Sequence, residues 1–351
     1  MWDADRCTLR SQEDIFDLGV ELDLGSRAES LDLRQRAVIL SDGRSLSFDG
    51  LVIATGASPR ALRGLSGRPD VFSLRTLDDA LAIRAVISSP GARLLIAGAG
   101  FIGLEVASTA RGLGSKVTVV DPCAIPLESG VGPVVGRVFE SMHRGHGVDL
   151  HLDTTIDKLE TGTHSGLGVR CRLSDATVVE ADALLVAVGV SPATSWLEGS
   201  GLELTSGGLS CDASLVAAPG VVAAGDIARW PNPLTRQWRH IEHRTNASEQ
   251  AEHAARSLLA GEGARPEFAA VPYFWSDQYG HKIQVLGSPQ PGDETVVVDG
   301  TLEELAFVVL FGRSGRLSGA LGFSRAKVLM NYLPLLEAGA SFADALAFTP
   351  S

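Results

Sequence analysis

The sequence contains few of the residues that build redox dithiols or metal centres. Its 351 residues include four cysteines, Cys7, Cys123, Cys171 and Cys211, which lie far apart and form no Cys-x-x-Cys pair. This spacing excludes a redox-active dithiol and a zinc knuckle, and it predicts four reduced thiols. The 8 histidines are scattered without metal-ligand spacing. We therefore expect no metal site.

Leader segments, long apolar runs and excess positive charge are also absent. The N-terminus, Met1 to Arg6, has neither a basic region nor an apolar stretch, so no signal peptide is predicted. The most apolar window, Leu94 to Ala110, is interrupted by glycines and carries Glu105, which is not typical of a membrane span. We expect a cytoplasmic protein that does not bind membranes. A net charge of −12 also argues against nucleic acid as a partner.

Glycine is abundant, with 39 residues, and the chain is long enough for two or three domains. Several glycines fall in one stretch around which the rest of the chain is organised. Its pattern predicts in order a strand, a tight turn, a helix and a second strand, at Leu94 to Ala97, Gly98-x-Gly100-x-x-Gly103, Phe101 to Leu113 and Lys116 to Val120. This is a βαβ unit.

The glycine turn of this unit has the pattern of a dinucleotide-binding turn. Gly98 allows the sharp turn, Gly100 lets the backbone approach a pyrophosphate, and Gly103 lets helix and strand pack closely. The helix N-terminus offers free N–H groups and the positive end of its dipole. Asp121 ends the second strand, where a carboxylate can bind the ribose 2′-hydroxyl of NAD. We predict that this unit binds NAD.

Shorter elements are predicted on both sides of this unit. The first 60 residues predict strands at Gly19 to Leu24, Ala28 to Leu33, Ala37 to Leu40, Leu46 to Phe48 and, as a buried strand, Gly50 to Ala54. A helix is expected at Asp78 to Ile87. Beyond Asp121 we expect a helix, a strand, a three-stranded meander and a buried strand, at Pro133 to Arg144, Val148 to Leu152, Asp157 to Glu160, Gly168 to Leu173, Thr177 to Glu180 and Ala183 to Val188. From Pro272 onward, four strands and a helix are predicted at Lys282 to Leu286, Glu294 to Val298, Leu305 to Gly312, Arg316 to Gly322 and Ala326 to Glu337.

Four further segments carry a family resemblance. They are the Ala-Thr-Gly strand within Leu51 to Arg60, the linker Ser73 to Ala80, the Gly225-Asp226 segment within Val221 to Ala228, and the Phe-Trp-Ser-Asp-Gln sequence within Tyr273 to Gln278. Together they resemble the oxygenase-coupled, FAD-dependent NADH:ferredoxin reductases of the putidaredoxin reductase and biphenyl dioxygenase reductase kind. This group belongs to the pyridine nucleotide-disulfide oxidoreductase superfamily but has no redox disulfide. The resemblance covers nearly the whole chain.

The resemblance implies an α/β fold with two interleaved Rossmann-like dinucleotide-binding domains and a small α+β C-terminal domain. The implied limits are an FAD-binding domain at 1–84 and 199–268, an NADH-binding domain at 85–198, and a C-terminal reductase domain at 269–351. The implied activity is the transfer of electrons from NADH through FAD to a two-iron, two-sulfur ferredoxin that feeds an oxygenase. The expected assembly is a monomer or a homodimer.

The resemblance also implies site residues. Glu105 and Trp275 are the implied catalytic residues, close to the nicotinamide and the flavin. The implied FAD-binding residues are Ala28, Thr55, Gly56, Arg75, Gly225, Asp226, Arg244 and Trp275, and the implied NADH-binding residues are Gly98, Gly100, Phe101, Ile102, Gly103, Glu105, Asp121 and Gly189. Glu105 is open to a second interpretation as an exposed helix residue, and Trp275 to one as a core aromatic.

The sequence departs from the family pattern in three ways. The family's first Gly-x-Gly-x-x-Gly turn, which holds the ADP half of FAD, is missing from these residues, so we expect an N-terminally truncated FAD domain with an exposed sheet edge. The family's arginines after the second strand are replaced by residues such as Ile125 and Ser129, which favours NADH over NADPH. Arg244 stands where many members have an apolar or aromatic residue. The alternatives are an inactive NADH-binding protein without FAD, and an NADH oxidase or a rubredoxin or nitrite-type reductase on the same scaffold.

A cluster of arginines in an otherwise acidic chain suggests where an acidic ferredoxin would bind. Arg229, Arg236, Arg239 and Arg244 lie in one short stretch that follows Gly225-Asp226 and contains a single acid, Glu242. Because the net charge is negative, attraction must come from a local patch. We expect these arginines to form that patch, the alternative being a solvated loop.

Overall fold

The structure is a computed structural model that describes residues 4–62, 65, 67–161, 168–261 and 263–349. It is a mixed α/β fold whose described strands form seven sheets, two of them five-stranded. Among the described residues, no helix combines the length and the apolar character needed to cross a bilayer.

The segment before residue 92 begins with short elements. Its helices and strands are α1 (Gln12–Asp17), β1 (Ala28–Asp32), β2 (Ala37–Leu40), β3 (Ser45–Ser47), β4 (Leu51–Ile53), β5 (Ala57–Pro59), β6 (Val71–Phe72) and α2 (Leu77–Ile87), preceded by a 3-10 turn at Ala4–Cys7. Strands β1, β2 and β3 form an antiparallel sheet. Helix α2 begins at a capping box in which Thr76 and Asp79 bond each other's backbone N–H.

The central unit is built around a five-stranded parallel sheet in the order β6-β13-β7-β8-β9. Its elements are β7 (Arg93–Ala97), α3 (Phe101–Gly112), β8 (Lys116–Val120), α4 (Glu128–Gly145), β9 (Asp149–His151), β10 (Ile156–Thr161), β11 (Val169–Leu173), β12 (Val178–Ala181), β13 (Ala183–Val186) and β14 (Val190–Pro192). Strands β10 to β12 form the antiparallel meander. Strands β7 and β13 are nearly continuous apolar runs because helices and the meander cover both faces of the sheet.

The next segment returns to the first one. It contains β15 (Leu204–Thr205), β16 (Gly208–Ser210), β17 (Val216–Ala218), β18 (Val221–Ala223), β19 (Ala228–Asn232), β20 (Gln237–His240) and α5 (Arg244–Leu259), with 3-10 turns at Ser195–Leu197 and Gly225–Ile227. Strand β18 pairs in parallel with β4, and Val221 lies beside Leu51, which is 170 positions earlier in the chain. This pairing encloses the central unit as an insertion between two parts of one sheet.

Strand β4 is the edge of that sheet, whose described order is β17-β18-β4. We expected β4 to be a buried strand, but Val52 is 41% exposed. One face of the strand is covered and the other is not, so the expectation of full burial was wrong. The exposed sheet edge that we also expected is present.

The C-terminal segment is a five-stranded antiparallel sheet with short helices. Its elements are β21 (Tyr273–Gln278), β22 (His281–Gly287), β23 (Glu294–Thr301), β24 (Ala306–Arg313), β25 (Arg316–Phe323), α6 (Ala326–Met330), α7 (Leu333–Glu337) and α8 (Phe342–Ala347). Aromatic rings join this sheet to the central unit, with centroids 4.9 Å apart for Phe101 and Phe274 and 5.8 Å apart for Phe139 and Phe323. The first contact joins β21 to helix α3, and the second joins β25 to helix α4.

Three predicted elements differ from the structure. The segment from Gly19 to Leu24 is not a strand, because its apolar residues have no neighbouring strand and stay exposed. The helix expected from Pro133 is joined to an earlier turn that begins at Glu128, with a break at Gly132, where φ is 73°. The single C-terminal helix is divided into α6 and α7, since the chain turns before Pro334.

Candidate functional site

The glycines of the turn between β7 and α3 lie where no side chain fits. Gly98 has a φ of 111°, and a Cβ there would lie 2.3 Å from the carbonyl oxygen of Ala187. A Cβ on Gly103 would lie 2.0 Å from the carbonyl oxygen of Gly98. The predicted roles of Gly98 in the turn and of Gly103 in close packing are therefore confirmed as geometry.

The N-terminus of α3 is open. Gly100 is its N-cap and makes no side-chain capping bond, and a Cβ on Gly100 would meet nothing within 4 Å. The N–H groups of the first turn, at Phe101 and Ile102, thus face space that a ligand can enter. Such an end attracts phosphate through its N–H groups and its dipole.

Asp121 holds the turn from the end of β8. Its Oδ2 accepts a hydrogen bond from the N–H of Ala99 at 2.6 Å, and its Oδ1 accepts one from the N–H of Cys123 at 2.8 Å. Each carboxylate oxygen retains a second lone pair. Asp121 can therefore fix the turn and still accept a hydrogen bond from a ribose hydroxyl beside it.

A cavity of about 420 Å³ opens beside this turn. Six separate parts of the chain line it, namely the end of β5, the segment between β6 and α2, the start of α3, the end of β13 with the segment after it, the start of α5 with the residues before it, and the start of β21. The predicted site residues among its lining are Gly100, Phe101, Ile102, Glu105, Gly189, Arg244 and Trp275. Residues predicted from distant segments thus converge on one cavity.

A second group of predicted residues forms a cluster around Asp226. Arg75 reaches its carboxylate at 3.2 Å. Gly56 has a φ of 67°, and a Cβ on it would lie only 2.8 Å from the Arg75 guanidinium. Gly225 has a φ of 76° and donates its N–H to Gln250 at 2.8 Å. The structure therefore brings Gly56, Arg75, Gly225 and Asp226 together.

Two predicted FAD residues lie outside both groups. The hydroxyl of Thr55 donates to the carbonyl oxygen of Ala193 at 3.3 Å and accepts from the indole N–H of Trp196 at 3.3 Å. Ala28 lies in β1 opposite Leu40, within the antiparallel β1-β2-β3 sheet. Neither residue lines the 420 Å³ cavity. Their contacts with FAD stay predictions.

Two buried polar atoms near this region have no protein partner. The Nδ1 atom of His243, which lines the cavity, and the Nε2 atom of Gln250, which lies beside Gly225, are buried and have no hydrogen bond within the described chain. Such atoms are costly unless a bound group satisfies them. Both atoms are covered by protein, so the fit to a dinucleotide and a flavin rests on the open N-terminus of α3 and on the Asp226 carboxylate beside Arg75.

Glu105 lies on α3 at the edge of the cavity and is half-buried. Burial raises the pKa of its carboxyl group, and hydrogen bonds from the hydroxyl of Ser276 and the N–H of Asp277 oppose that rise. The alternative interpretation of Glu105 as an exposed helix residue is therefore wrong. Its carboxylate is held by the Phe-Trp-Ser-Asp-Gln segment.

A chain of hydrogen bonds runs inward from Glu105. Gln278 donates from Nε2 to the Ser276 hydroxyl at 3.0 Å, and its Oε1 lies 2.9 Å from His143 Nε2. The Nδ1 atom of His143 lies 3.1 Å from the hydroxyl of Tyr279. Ser276, Gln278 and His143 are at most 1% exposed.

The direction of every bond in this chain follows from its chemistry. Burial lowers the pKa of His143 to about 4, so its ring is neutral at pH 7 and carries one N–H. Because the amide oxygen of Gln278 can only accept, that N–H is on Nε2, and Nδ1 accepts from Tyr279. The Ser276 hydroxyl, which accepts from Gln278, is left to donate to Glu105. All donors therefore point toward the Glu105 carboxylate.

Trp275 lies at the open side of the cavity. It is 37% exposed, whereas its neighbour Phe274 packs on Phe101. The alternative interpretation of Trp275 as a core aromatic is therefore wrong. Its ring is available to a bound cofactor or to a docked partner.

The predicted arginine patch does not share one face. Strand β20 pairs with β19 so that Arg239 lies opposite Trp230, and Trp238 lies opposite Pro231 on the other face. The Arg229 guanidinium stacks on the Trp238 ring at 4.3 Å, on that other face. Arg244 lines the 420 Å³ cavity instead. Alternation along the hairpin thus places Arg229 and Arg239 on opposite faces, Arg244 lies at a third place, and the expectation of a single patch was wrong.

Sequence reasoning missed several residues of the site. Glu242, His243 and Thr245 line the cavity beside Arg244. The loop that holds them follows β20 and has no motif of its own. The roles of His143 and Gln278 were missed because these residues are 135 positions apart. Only the Phe-Trp-Ser-Asp-Gln signature, which contains Ser276 and Gln278, gave a usable signal.

Comparison with known proteins agrees with this geometry. The pyridine nucleotide-disulphide oxidoreductase family matches residues 5–251, and the reductase C-terminal family matches residues 273–351. Putidaredoxin reductase CamA of Pseudomonas putida is 34% identical over 90% of this chain and 74% of its own length. The ferredoxin–NAD(+) reductase component of the p-cumate 2,3-dioxygenase system of the same species is 36% identical over 82% of this chain and 69% of its own length.

A solved structure extends the likeness to three dimensions. The covalent putidaredoxin reductase–putidaredoxin complex superposes with a TM-score of 0.91 at 31% identity, over 99% of this chain and 83% of that one. Both the expected fold class and the expected resemblance are confirmed. The chain belongs to the pyridine nucleotide-disulphide oxidoreductase family, in the group that carries the reductase C-terminal domain.

Proposed function

We propose that the chain is an NADH-dependent flavoprotein reductase that passes electrons through FAD to a ferredoxin. The observation that carries this proposal is the cavity in which the open end of α3, Glu105, Trp275 and the start of α5 meet. The relatives named above are putidaredoxin reductase and a ferredoxin–NAD(+) reductase component, which act on ferredoxins. We further propose that the partner is a two-iron, two-sulfur ferredoxin serving an oxygenase.

The dinucleotide end of the site would be held by the turn and by α3. The first N–H groups of α3, at Phe101 and Ile102, would bind the pyrophosphate of NADH, and Asp121 would accept from its ribose. Asp121 would repel a 2′-phosphate, and the residues that follow it, Pro122 and Cys123, offer no positive charge. This arrangement supports a preference for NADH over NADPH.

The flavin end would be held by residues on the other side of the cavity. Asp226, fixed by Arg75, would accept hydrogen bonds from ribityl hydroxyls. The chemistry supplied by FAD when it is bound is the conversion of a hydride, which carries two electrons, into single electrons. The protein contributes position and exclusion of water.

Glu105 would orient the nicotinamide. Its carboxylate is fixed by Ser276 and the N–H of Asp277, and the buried bonds behind Ser276 keep that hydroxyl aimed at it. A carboxylate held in this way can accept a hydrogen bond from a carboxamide without moving. The side chain therefore acts as a positioning group at the cavity edge.

The domain limits follow from the same proposal. Residues 1–84 and 199–268 would form one nucleotide-binding domain, joined by the pairing of β4 with β18, and 85–198 the inserted one. The C-terminal domain, 269–351, would supply Trp275 to the flavin end. We keep a monomer or homodimer as the expected assembly and the cytoplasm as the expected location.

A test of the proposed function combines reduction of ferredoxin with reduction of a small dye. FAD-loaded protein should oxidise NADH with both acceptors, and Trp275→Ala should slow the ferredoxin reaction more than the dye reaction. Lys282→Ala is a matched control, since Lys282 Nζ lies 5.9 Å over the Trp275 ring but does not line the cavity. Turnover with oxygen that is unaffected by added ferredoxin would identify an oxidase instead.

A further inference from the structure

A second cavity, of about 580 Å³, lies between the β19–β20 hairpin and the C-terminal domain. Its walls are the hairpin turn, the end of β22, the β24–β25 turn and the segment that follows α7. In the described part of the chain, it shares no lining residue with the cavity beside the glycine turn. Its volume is typical of small-molecule sites.

Positive charge dominates this second cavity. Its described lining contains four arginines and one acid, Glu337, and the arginines are Arg236, Arg239, Arg313 and Arg316. Two of the four have fixed positions. Arg313 makes two 2.7 Å bonds to the carboxylate of Asp293, whose side chain is 3% exposed. Arg316 donates to the carbonyl oxygen of Gly339 at 2.7 Å.

Arg239 has no such partner. It is half-buried, and within the described residues its side chain makes no hydrogen bond or ion pair, while its Nε is fully buried. Burial lowers the pKa of the Arg239 guanidinium, and the like charge of Arg313 lowers it further. Arg313 is already balanced by Asp293, so Arg239 is the cation of this pair without a counter-charge, and keeping it in a partly buried space costs free energy unless an anion balances it.

We propose that this cavity binds a small, multiply charged oxyanion, a metabolite bearing phosphate or carboxylate groups, with Arg239 as its central ligand. Guanidinium groups bind both kinds of oxyanion through paired N–H donors. Arg239 lines the cavity, and the accessible part of its guanidinium would gain a counter-charge that the described protein does not provide. Leu234, Val271 and Leu317 in the same walls would contact the carbon part of the ligand.

The shape and position of the cavity favour a small ligand over a ferredoxin side chain. Arg239 lies on the face of β20 that carries Trp230, whereas His240, on the opposite face, contacts the carbonyl oxygen of Asp226 in the flavin cluster. Arg239 thus points away from the face of the hairpin that contacts the flavin cluster. A ferredoxin seated there would hold its cluster far from the electron donor.

The test is calorimetric titration of the full 351-residue chain with inorganic pyrophosphate and, separately, with citrate. Saturating NAD+ is present throughout, so that the glycine turn is occupied. We expect saturable binding of at least one anion, and Arg239→Gln should weaken it at least tenfold, the effect of losing one charge-assisted contact. Comparing the two anions distinguishes phosphate from carboxylate ligands.

Arg229→Gln is the matched control because it removes the same charge from the opposite face of the hairpin. It should leave anion binding unchanged. Without anion, Arg239→Gln should melt no lower than the wild-type protein, since it removes an unbalanced cation. The proposal is overturned if neither anion binds or if both variants weaken anion binding equally. It is also overturned if Arg239→Gln slows ferredoxin reduction while anion binding is unaffected. That result would assign the cavity to the partner protein.

Discussion

The Asp121→Asn substitution tests the assignment of the dinucleotide end. Asp121 accepts N–H bonds from Ala99 at 2.6 Å and from Cys123 at 2.8 Å, one on each oxygen. Asparagine keeps one acceptor oxygen but turns an NH2 group toward the other N–H donor. One backbone N–H is thereby left unsatisfied, and the charge is lost from the bond that remains.

The structure gives the size of this effect. An unsatisfied N–H and a weakened charge-assisted bond should lower the free energy of unfolding by about 1 to 3 kcal/mol. The ribose of NADH would lose its charged acceptor at the same time, so NADH affinity should fall by about 1 to 3 kcal/mol as well, or roughly 5-fold to 150-fold. Urea unfolding measures the first effect, and titration of NADH fluorescence measures the second.

Asp149→Asn is the matched control. Asp149 lies on the neighbouring strand β9, with a side chain 65% exposed and a surface bond of 3.0 Å to His151. Exposed pairs of this kind contribute little, so both measurements should stay close to the wild-type values. If Asp121→Asn folds and binds NADH as tightly as the wild-type protein, the assignment of Asp121 to the ribose is wrong.

Three further predictions follow from the site and its supports. Ser276→Ala removes a hydrogen-bond donor from the Glu105 carboxylate and should move the acidic limb of the pH profile for hydride transfer to higher pH. Thr109→Ala removes an exposed hydroxyl from α3, the helix that carries Glu105, and should leave the profile unchanged. Burial lowers the pKa of His143 and of His243 to about 4, below the unfolded value of 6.5, so the unfolded chain binds protons first as the pH falls. The free energy of unfolding should therefore fall between pH 6.5 and 4, by about 2 kcal/mol per histidine from pH 7 to pH 5. His143→Gln should remove its share of this loss, as measured by urea unfolding at the two pH values. Gly103→Ala should abolish NADH binding and lower the melting temperature, because its Cβ would lie 2.0 Å from a carbonyl oxygen. Gly112→Ala in the same helix should be tolerated, because its Cβ meets nothing within 4 Å. Equal melting temperatures for the two variants would refute the packing argument.

The βαβ unit was predictable because its information is local. A buried strand, three spaced glycines and a terminal acid lie within one short stretch, and the structure matches strand β8 at Lys116–Val120 as predicted. Four of the five C-terminal strands were predictable for the same reason, since turns separate them, whereas β21 was not predicted as a strand. Strong local patterns therefore gave the architecture.

The elements that were mispredicted depend on distant contacts. Val20, Leu22 and Leu24 alternate as in a strand, but no strand lies beside them, and all three are exposed. Helix α1, which precedes them, is stabilised mainly by its own capping box at Ser11 and Asp14. Alternation predicts a strand only where a partner strand exists.

The inner part of the site could not be read from the sequence. The bond between His143 and Gln278 joins α4 to β21, and only the packing of the C-terminal sheet on the central unit creates it. The separation of Arg239 from Arg229 likewise depends on the register of a hairpin, which places neighbouring side chains on opposite faces. The sequence suggested a single arginine patch, whereas the hairpin register places Arg229 and Arg239 on two different faces.

The central claim, electron transfer from NADH through FAD to a ferredoxin, is tested most directly by an anaerobic titration. FAD is added to the purified chain until further additions cause no more binding-induced change in the absorbance near 450 nm, where oxidised flavin absorbs. NADH is then added in the presence of a two-iron, two-sulfur ferredoxin. The account predicts that about two ferredoxins are reduced per NADH consumed, only when FAD is present, because a hydride carries two electrons. NADH that bleaches the bound flavin without reducing ferredoxin, or a chain that binds FAD but leaves it oxidised, would contradict the account.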